Sequence, residues 1–154
     1  MVAGPLLSRV VHGIRLGHPM KLDIIDQQDS IEAFEREMEA AVAAGQIGDL
    51  IERHYTVDAR LMANHAPAAV GTAAIANAFQ GMIESGVNKL TLQTETCDAS
   101  GDAVWNTGSY RLNITTPNGD IEDVGKYVTI FRRQTDGTLK CVVDCFNSDL
   151  PLPN

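Results

Sequence analysis

The chain has 154 residues, 44% of them hydrophobic, which suits one domain whose core can surround a cavity. Its 20 acidic and 12 basic side chains leave a formal charge of -8, which repels phosphate backbones and anionic lipid surfaces and so argues against nucleic acid and membrane partners. No run approaches the ~20 apolar residues that a bilayer crossing needs, and the first residues lack the basic start and apolar stretch of a secretory leader, so the expected location is the cytoplasm.

Residues 1–28 alternate apolar positions with Gly4, Pro5, Gly13, Gly17 and Pro19, which interrupt a long helix; they are read as an N-terminal arm, with Met20 an alternative start. A single domain then occupies 29–154. Asp29 with Glu32 has the form of a capping box, and Ile31, Phe34, Met38, Ala41 and Val42 recur at helical spacing until Gly45 stops the helix. A shorter helix follows from Ile47 to His54, then a strand from Tyr55 to Ala63. Gly71-Thr72 opens a third helix with Ile75, Phe79, Met82 and Ile83 on one side, ended by Ser85-Gly86.

From Lys89 the chain reads as four strands, over 89–98, 103–116, 121–134 and 138–147. Their links, Ser100-Gly101-Asp102, Pro117-Asn118-Gly119 and Thr135-Asp136-Gly137, are short enough to force antiparallel neighbours. Strands of this length twist and curl, and early helices followed by late hairpins make an α+β fold.

Cys97, Cys141 and Cys145 are odd in number and follow no CxxC pattern. Four residues of rise along one strand set Cys141 and Cys145 ~13 Å apart, too far for a disulfide, so free thiols in a reducing compartment are expected. His12, His18, His54 and His65 show no metal-type spacing, and no metal or cofactor is expected. His54 is expected to meet the carbonyls at the end of its own helix.

The order helix, short helix, strand, helix, four long strands resembles the nuclear transport factor 2-like superfamily. The segments 48–59, 70–79, 101–110 and 125–133, with Asp136-Gly137 and 144–149, are similar to its SnoaL-like and ketosteroid-isomerase-like branch. The resemblance implies a cystatin-like cone, a curved antiparallel sheet wrapped around three helices with a small-molecule pocket. Ketosteroid isomerases use an aspartate base beside a tyrosine and a protonated aspartic acid. The matching positions here hold Ala63, Met38 and Thr129, none of which fills those roles, which argues against that reaction by that mechanism.

Because side chains alternate along a strand, the family pattern also predicts the inward rows. These are Trp105, Thr107, Ser109 and Arg111 on the second long strand; Tyr127, Thr129 and Phe131 on the third; and Val142, Asp144 and Phe146 on the last. Tyr55 closes one end, with Ala63 and His65 at the mouth and Met38 on the helix. A slip of one residue would turn Asn106, Tyr110, Lys126, Val128 and Ile130 inward instead.

Asp144 is the candidate general base, assisted by Tyr55 or His65, because loss of hydration in an aromatic pocket raises a carboxyl toward neutrality. The competing structural reading pairs Asp144 with Arg111 or Lys126 across the sheet. Trp105 and Tyr127 would pack a small, partly apolar substrate, and Arg111 could clamp a carboxylate. The predicted function is cofactor-free proton transfer, as in isomerisation, cyclisation or dehydration; the rival is a non-catalytic binding or oligomerisation module. A homodimer is expected from an outer face carrying Val104, Val128, Ile130 and Cys141.

Overall fold

A computed structural model describes the backbone of residues 21–152 and the side chains of residues 26–152. The first helix, α1 (Lys21–Ala44), is already running at Asp29. The capping box is therefore not a helix start: backbone N–H groups that deep in a helix are taken by carbonyls four residues earlier and have nothing left for a cap to satisfy. Gln28 Nε2 donates instead to Glu32 Oε1 at 2.8 Å, one turn along the same helix. The expected arm thus loses residues 21–28 to α1, and the rest of it lies outside the described residues. At the other end, Gly45 (φ 74°) donates its N–H to the Val42 carbonyl and Gln46 to that of Ala41, the paired bonds of a glycine-ended helix.

The remaining elements are α2 (Gly48–His54), β1 (Tyr55–Met62), β2 (Ala69–Val70), α3 (Thr72–Glu84), β3 (Val87–Ser100), β4 (Ala103–Thr116), β5 (Gly119–Arg133) and β6 (Leu139–Ser148). Two-residue β2 is too short for any periodic signal. The sheet order is β2-β1-β6-β5-β4-β3. All neighbours are antiparallel except β1 and β6, which run parallel, so the sheet is mixed where a wholly antiparallel one was expected. Only a parallel pair needs a long crossover, and here most of the domain intervenes between its two strands.

Register shifts break β3 between Thr94 and Thr96, β6 between Cys141 and Val143, and β1 between Tyr55 and Arg60. Each irregularity bends its strand. The bends bring opposite ends of the sheet to one helix: α3 contacts β1 and β2 at one edge and β3 at the other. The sheet so wraps the helices as the cone expected from the sequence.

The core joins Ile31, Phe34, Met38 and Val42 of α1 to Leu50 and Ile51 of α2, Ile75 and Phe79 of α3, and the concave face of the sheet. Phe34 sits at its centre, edge-on to Tyr55 and Phe131. Among the described residues no helix is long and apolar enough to cross a membrane.

Candidate functional site

Directly paired residues on neighbouring strands share a face, and this fixes what lies inside the cone. On β5, Tyr127, Thr129 and Phe131 are buried, and Asp144 on β6 pairs with Thr129. On β4 the partners of that row are Val104, Asn106 and Gly108, and these face inward. The expected row of Trp105, Thr107, Ser109 and Arg111 is displaced by one residue and lies on the other face, where Trp105 pairs with Ile130 and Thr107 with Val128. The reason is the two-residue turn at Pro117-Asn118, which pairs Thr116 with Gly119 and so matches even positions of β4 with odd positions of β5. On β6 the break in register opposite Ile130 turns Cys141 inward and leaves Val142 half-buried.

Between α1, α3 and the concave sheet is a hollow with about 60 Å³ open to the centre of a water molecule. Phe34, Met38 and Val42 of α1, Phe79, Met82 and Ile83 of α3, and Leu90, Leu92 and Leu112 of the sheet make its apolar wall. Tyr110 and Phe146 also line it, their rings edge-on at 5.7 Å. The polar lining comes from Asp144, Thr129, Tyr127 and Glu35. Few polar groups in an apolar concavity is the usual make-up of a small-ligand site.

Asp144 is 8% exposed, and among the described residues its hydrogen-bond donor is Tyr55, whose hydroxyl lies 2.7 Å from Oδ2. Burial pushes the Asp144 carboxyl up to about 6, with the Tyr55 bond pulling the other way. Burial and the neighbouring Asp144 charge raise the Tyr55 phenol well above its ordinary range, so Tyr55 is a neutral donor. The alternative ion pairs are not made: Arg111 pairs with Glu122, and Lys126 with Asp149 at 2.6 Å. All four of those side chains are exposed, where such pairs stabilise little.

Glu35 is the residue that sequence reasoning missed. It is 2% exposed. Its Oε1 accepts from Tyr127 Oη at 2.5 Å, Thr94 Oγ1 at 2.8 Å and Asn106 Nδ2 at 3.0 Å. Its spacing carried a signal: Glu35 stands four residues after Ile31 and three before Met38, on the apolar stripe of α1. Asn106 was reachable through the one-residue slip.

Of the predicted site residues, Met38, Tyr127, Thr129, Asp144 and Phe146 line the hollow. Tyr55 supports Asp144, and Phe131 is core packed on Phe34. His65 does not join them: it is exposed, with φ 56°, and with Ala63, Asn64 and Cys145 lines a second, more open cavity of about 330 Å³ that shares only Phe146 with the hollow. Trp105, Thr107 and Arg111 are outside, and Val104 and Cys141, expected on the outer face, are fully buried in the core. His54 donates no bond to its helix end; its Nε2 lies 2.9 Å from Glu37 Oε2.

A model of the SnoaL-like domain matches residues 34–142. The chain belongs to the SnoaL-like domain family. Comparison with curated proteins finds no match. Among solved structures, a ketosteroid isomerase-like protein from Erwinia carotovora atroseptica superposes with a TM-score of 0.72 at 17% identity, covering 86% of this chain and 100% of that one. An NTF2-like protein with a cystatin-like fold from Novosphingobium aromaticivorans gives 0.68 at 17%, covering 82% and 84%. An NTF2-like superfamily protein from Salmonella enterica serovar Typhimurium gives 0.68 at 10%, covering 86% and 96%. These likenesses place the SnoaL-like chain in the NTF2-like fold; the chemistry has to be argued from its own residues.

Proposed function

We propose that the hollow binds a small, mostly apolar molecule and moves a proton on it without a bound cofactor, in an isomerisation, cyclisation or dehydration, with Asp144 as general base. The observation that carries this reading is a buried carboxylate lining an apolar hollow with, among the described residues, a single donor on it. A base whose carboxyl sits at about 6 is ionised at neutral pH yet strong enough to take a proton from an activated carbon. Tyr55 holds Oδ2 and so orients the carboxylate, and the apolar wall keeps water from competing for the proton. The same carboxyl can return the proton to another carbon or to a departing hydroxyl.

The test is exchange of the α-protons of 4-methylcyclohexanone in deuterated water, followed by NMR. Wild type is expected to accelerate exchange, and Asp144→Asn to lose about 10²–10⁴-fold of that acceleration. No acceleration in wild type, or an undiminished rate in Asp144→Asn, removes the base. A second reading, binding or association without catalysis, is favoured by Met38, Ala63 and Thr129 standing where ketosteroid isomerases carry functional groups.

We also propose a homodimer through the outer face of the sheet, where Trp105, Val128, Ile130 and Val143 form one apolar patch, with Ile130 36% exposed. The three unpaired thiols suit a reducing compartment such as the cytoplasm.

A further inference from the structure

We propose that the hollow binds small organic ammonium cations, the protonated forms of apolar amines, with the Asp144 carboxylate as their counter-ion and the aromatic wall around them. The inference shares Asp144 with the proposed function but holds whether or not that carboxylate moves protons.

The protein uses only half of the Asp144 carboxylate. Tyr55 donates to Oδ2 at 2.7 Å, while among the described residues no hydrogen bond reaches Oδ1. The side-chain oxygens that are both sealed in the packing and unpartnered belong to Gln27, Glu35, Thr56 and Asn106. Oδ1 of Asp144 is not one of them, so it is open, and the space it opens on is the hollow that Asp144 lines.

The protein supplies no counter-charge there. No Lys, Arg or His lines the hollow, and Arg111 of β4 and Lys126 of β5 pair with Glu122 and Asp149 at the surface. A buried charge without a partner is unfavourable, and burial accordingly raises the Asp144 carboxyl to about 6, still ionised at neutral pH. A cation beside Oδ1 offsets that charge and donates the hydrogen bond that Oδ1 lacks.

The walls suit the same ligand. Phe34, Phe79, Tyr110, Tyr127 and Phe146 line the hollow, and Phe146 stands two residues from Asp144 on the same face of β6. Aromatic rings attract a cation that has shed its water, whereas an anion would lose its hydration and meet like charge. The net charge of -8 also draws cations toward the molecule. The pairing occupies the carboxylate, so an amine held there competes with a proton-transfer substrate.

Isothermal titration of the full chain with benzylamine, benzyl alcohol and benzoate tests this near neutral pH, where the first is a cation and the last an anion. Benzylamine is expected to bind about tenfold or more tighter than benzyl alcohol, the gain from a charge-assisted hydrogen bond, and benzoate not detectably. The preference is expected to persist in about 0.5 M salt, which screens exposed charges and acts far less on a buried pair. In Asp144→Asn the Tyr55 hydroxyl holds the amide carbonyl and turns the N–H₂ toward the hollow, so the preference for the amine disappears. Equal binding of amine and alcohol to wild type, no binding of the amine, or detectable binding of benzoate overturns the proposal. So does a preference that high salt abolishes, or one that survives in a folded Asp144→Asn protein. Should that variant not fold, the wild-type comparison at high salt decides alone. Failure here leaves α-proton exchange through Asp144 standing, and failure of exchange leaves amine binding standing.

Discussion

Burial works against the charge on Asp144, and one phenol works for it. A carboxyl raised from 3.8 to about 6 favours the folded state most when protonated. That contribution is fully present below about pH 3.8 and is lost as the pH rises through about 6. At about 1.4 kcal/mol per pH unit the loss is of the order of 3 kcal/mol. Asp144→Asn, similar in shape and neutral throughout, is expected to flatten this limb, so that its stability relative to wild type is greater at pH 8 than at pH 4 in urea unfolding. Tyr55→Phe removes the one hydrogen bond, among the described residues, that opposes the upward shift. The apparent pKa of the exchange reaction is therefore expected to move above about 6 in that variant, read from its pH–rate profile.

At the scale of the element, β4 decides what the cone encloses. Gly108 faces inward opposite Tyr127, and a Cβ there would meet the Gln93 carbonyl oxygen at 2.3 Å and the Tyr127 hydroxyl at 2.4 Å. Only a bare Cα lets Tyr127 lie flat enough on β4 to reach Glu35. Gly108→Ala is expected to destabilise the fold by about 1–3 kcal/mol, as overpacking does, in thermal or urea unfolding. The strand itself was plain from its turns and its length, while its facing was not. Family pattern placed the large Trp105 inside, whereas the two-residue turn at Pro117-Asn118 couples odd positions of β5 to even positions of β4. Pairing the two strands through that turn, before assigning either row, would have put Asn106 and Tyr110 inside. The β5 row and Asp144 were read correctly because the β5–β6 pairing runs unbroken from Ser148 to Val143.

At the scale of the whole molecule, Trp105 turned outward becomes part of a surface and no longer part of a site. With Val128, Ile130 and Val143 it gives the sheet an apolar back that a second copy would cover. Sedimentation is expected to show a dimer of the 16.6 kDa chain, and Ile130→Glu to shift it toward monomer with an unchanged circular dichroism spectrum. A single 16.6 kDa species in wild type would leave the patch without that partner.

Local order along the chain determined the kind of elements, their sequence and the antiparallel hairpins, while Asp144 on an inward row came from the family resemblance. Those properties depend on periodicity and turn chemistry, which act over a few residues. Tertiary structure alone decided the parallel join of β1 to β6, the union of Tyr55 with Asp144 across 89 residues and of Glu35 with Tyr127 across 92, and the exclusion of His65. Each of these rests on where sheet curvature brings distant segments together. That curvature comes from register breaks at Thr94, Val142 and Tyr55, at positions that hydrophobic alternation does not mark.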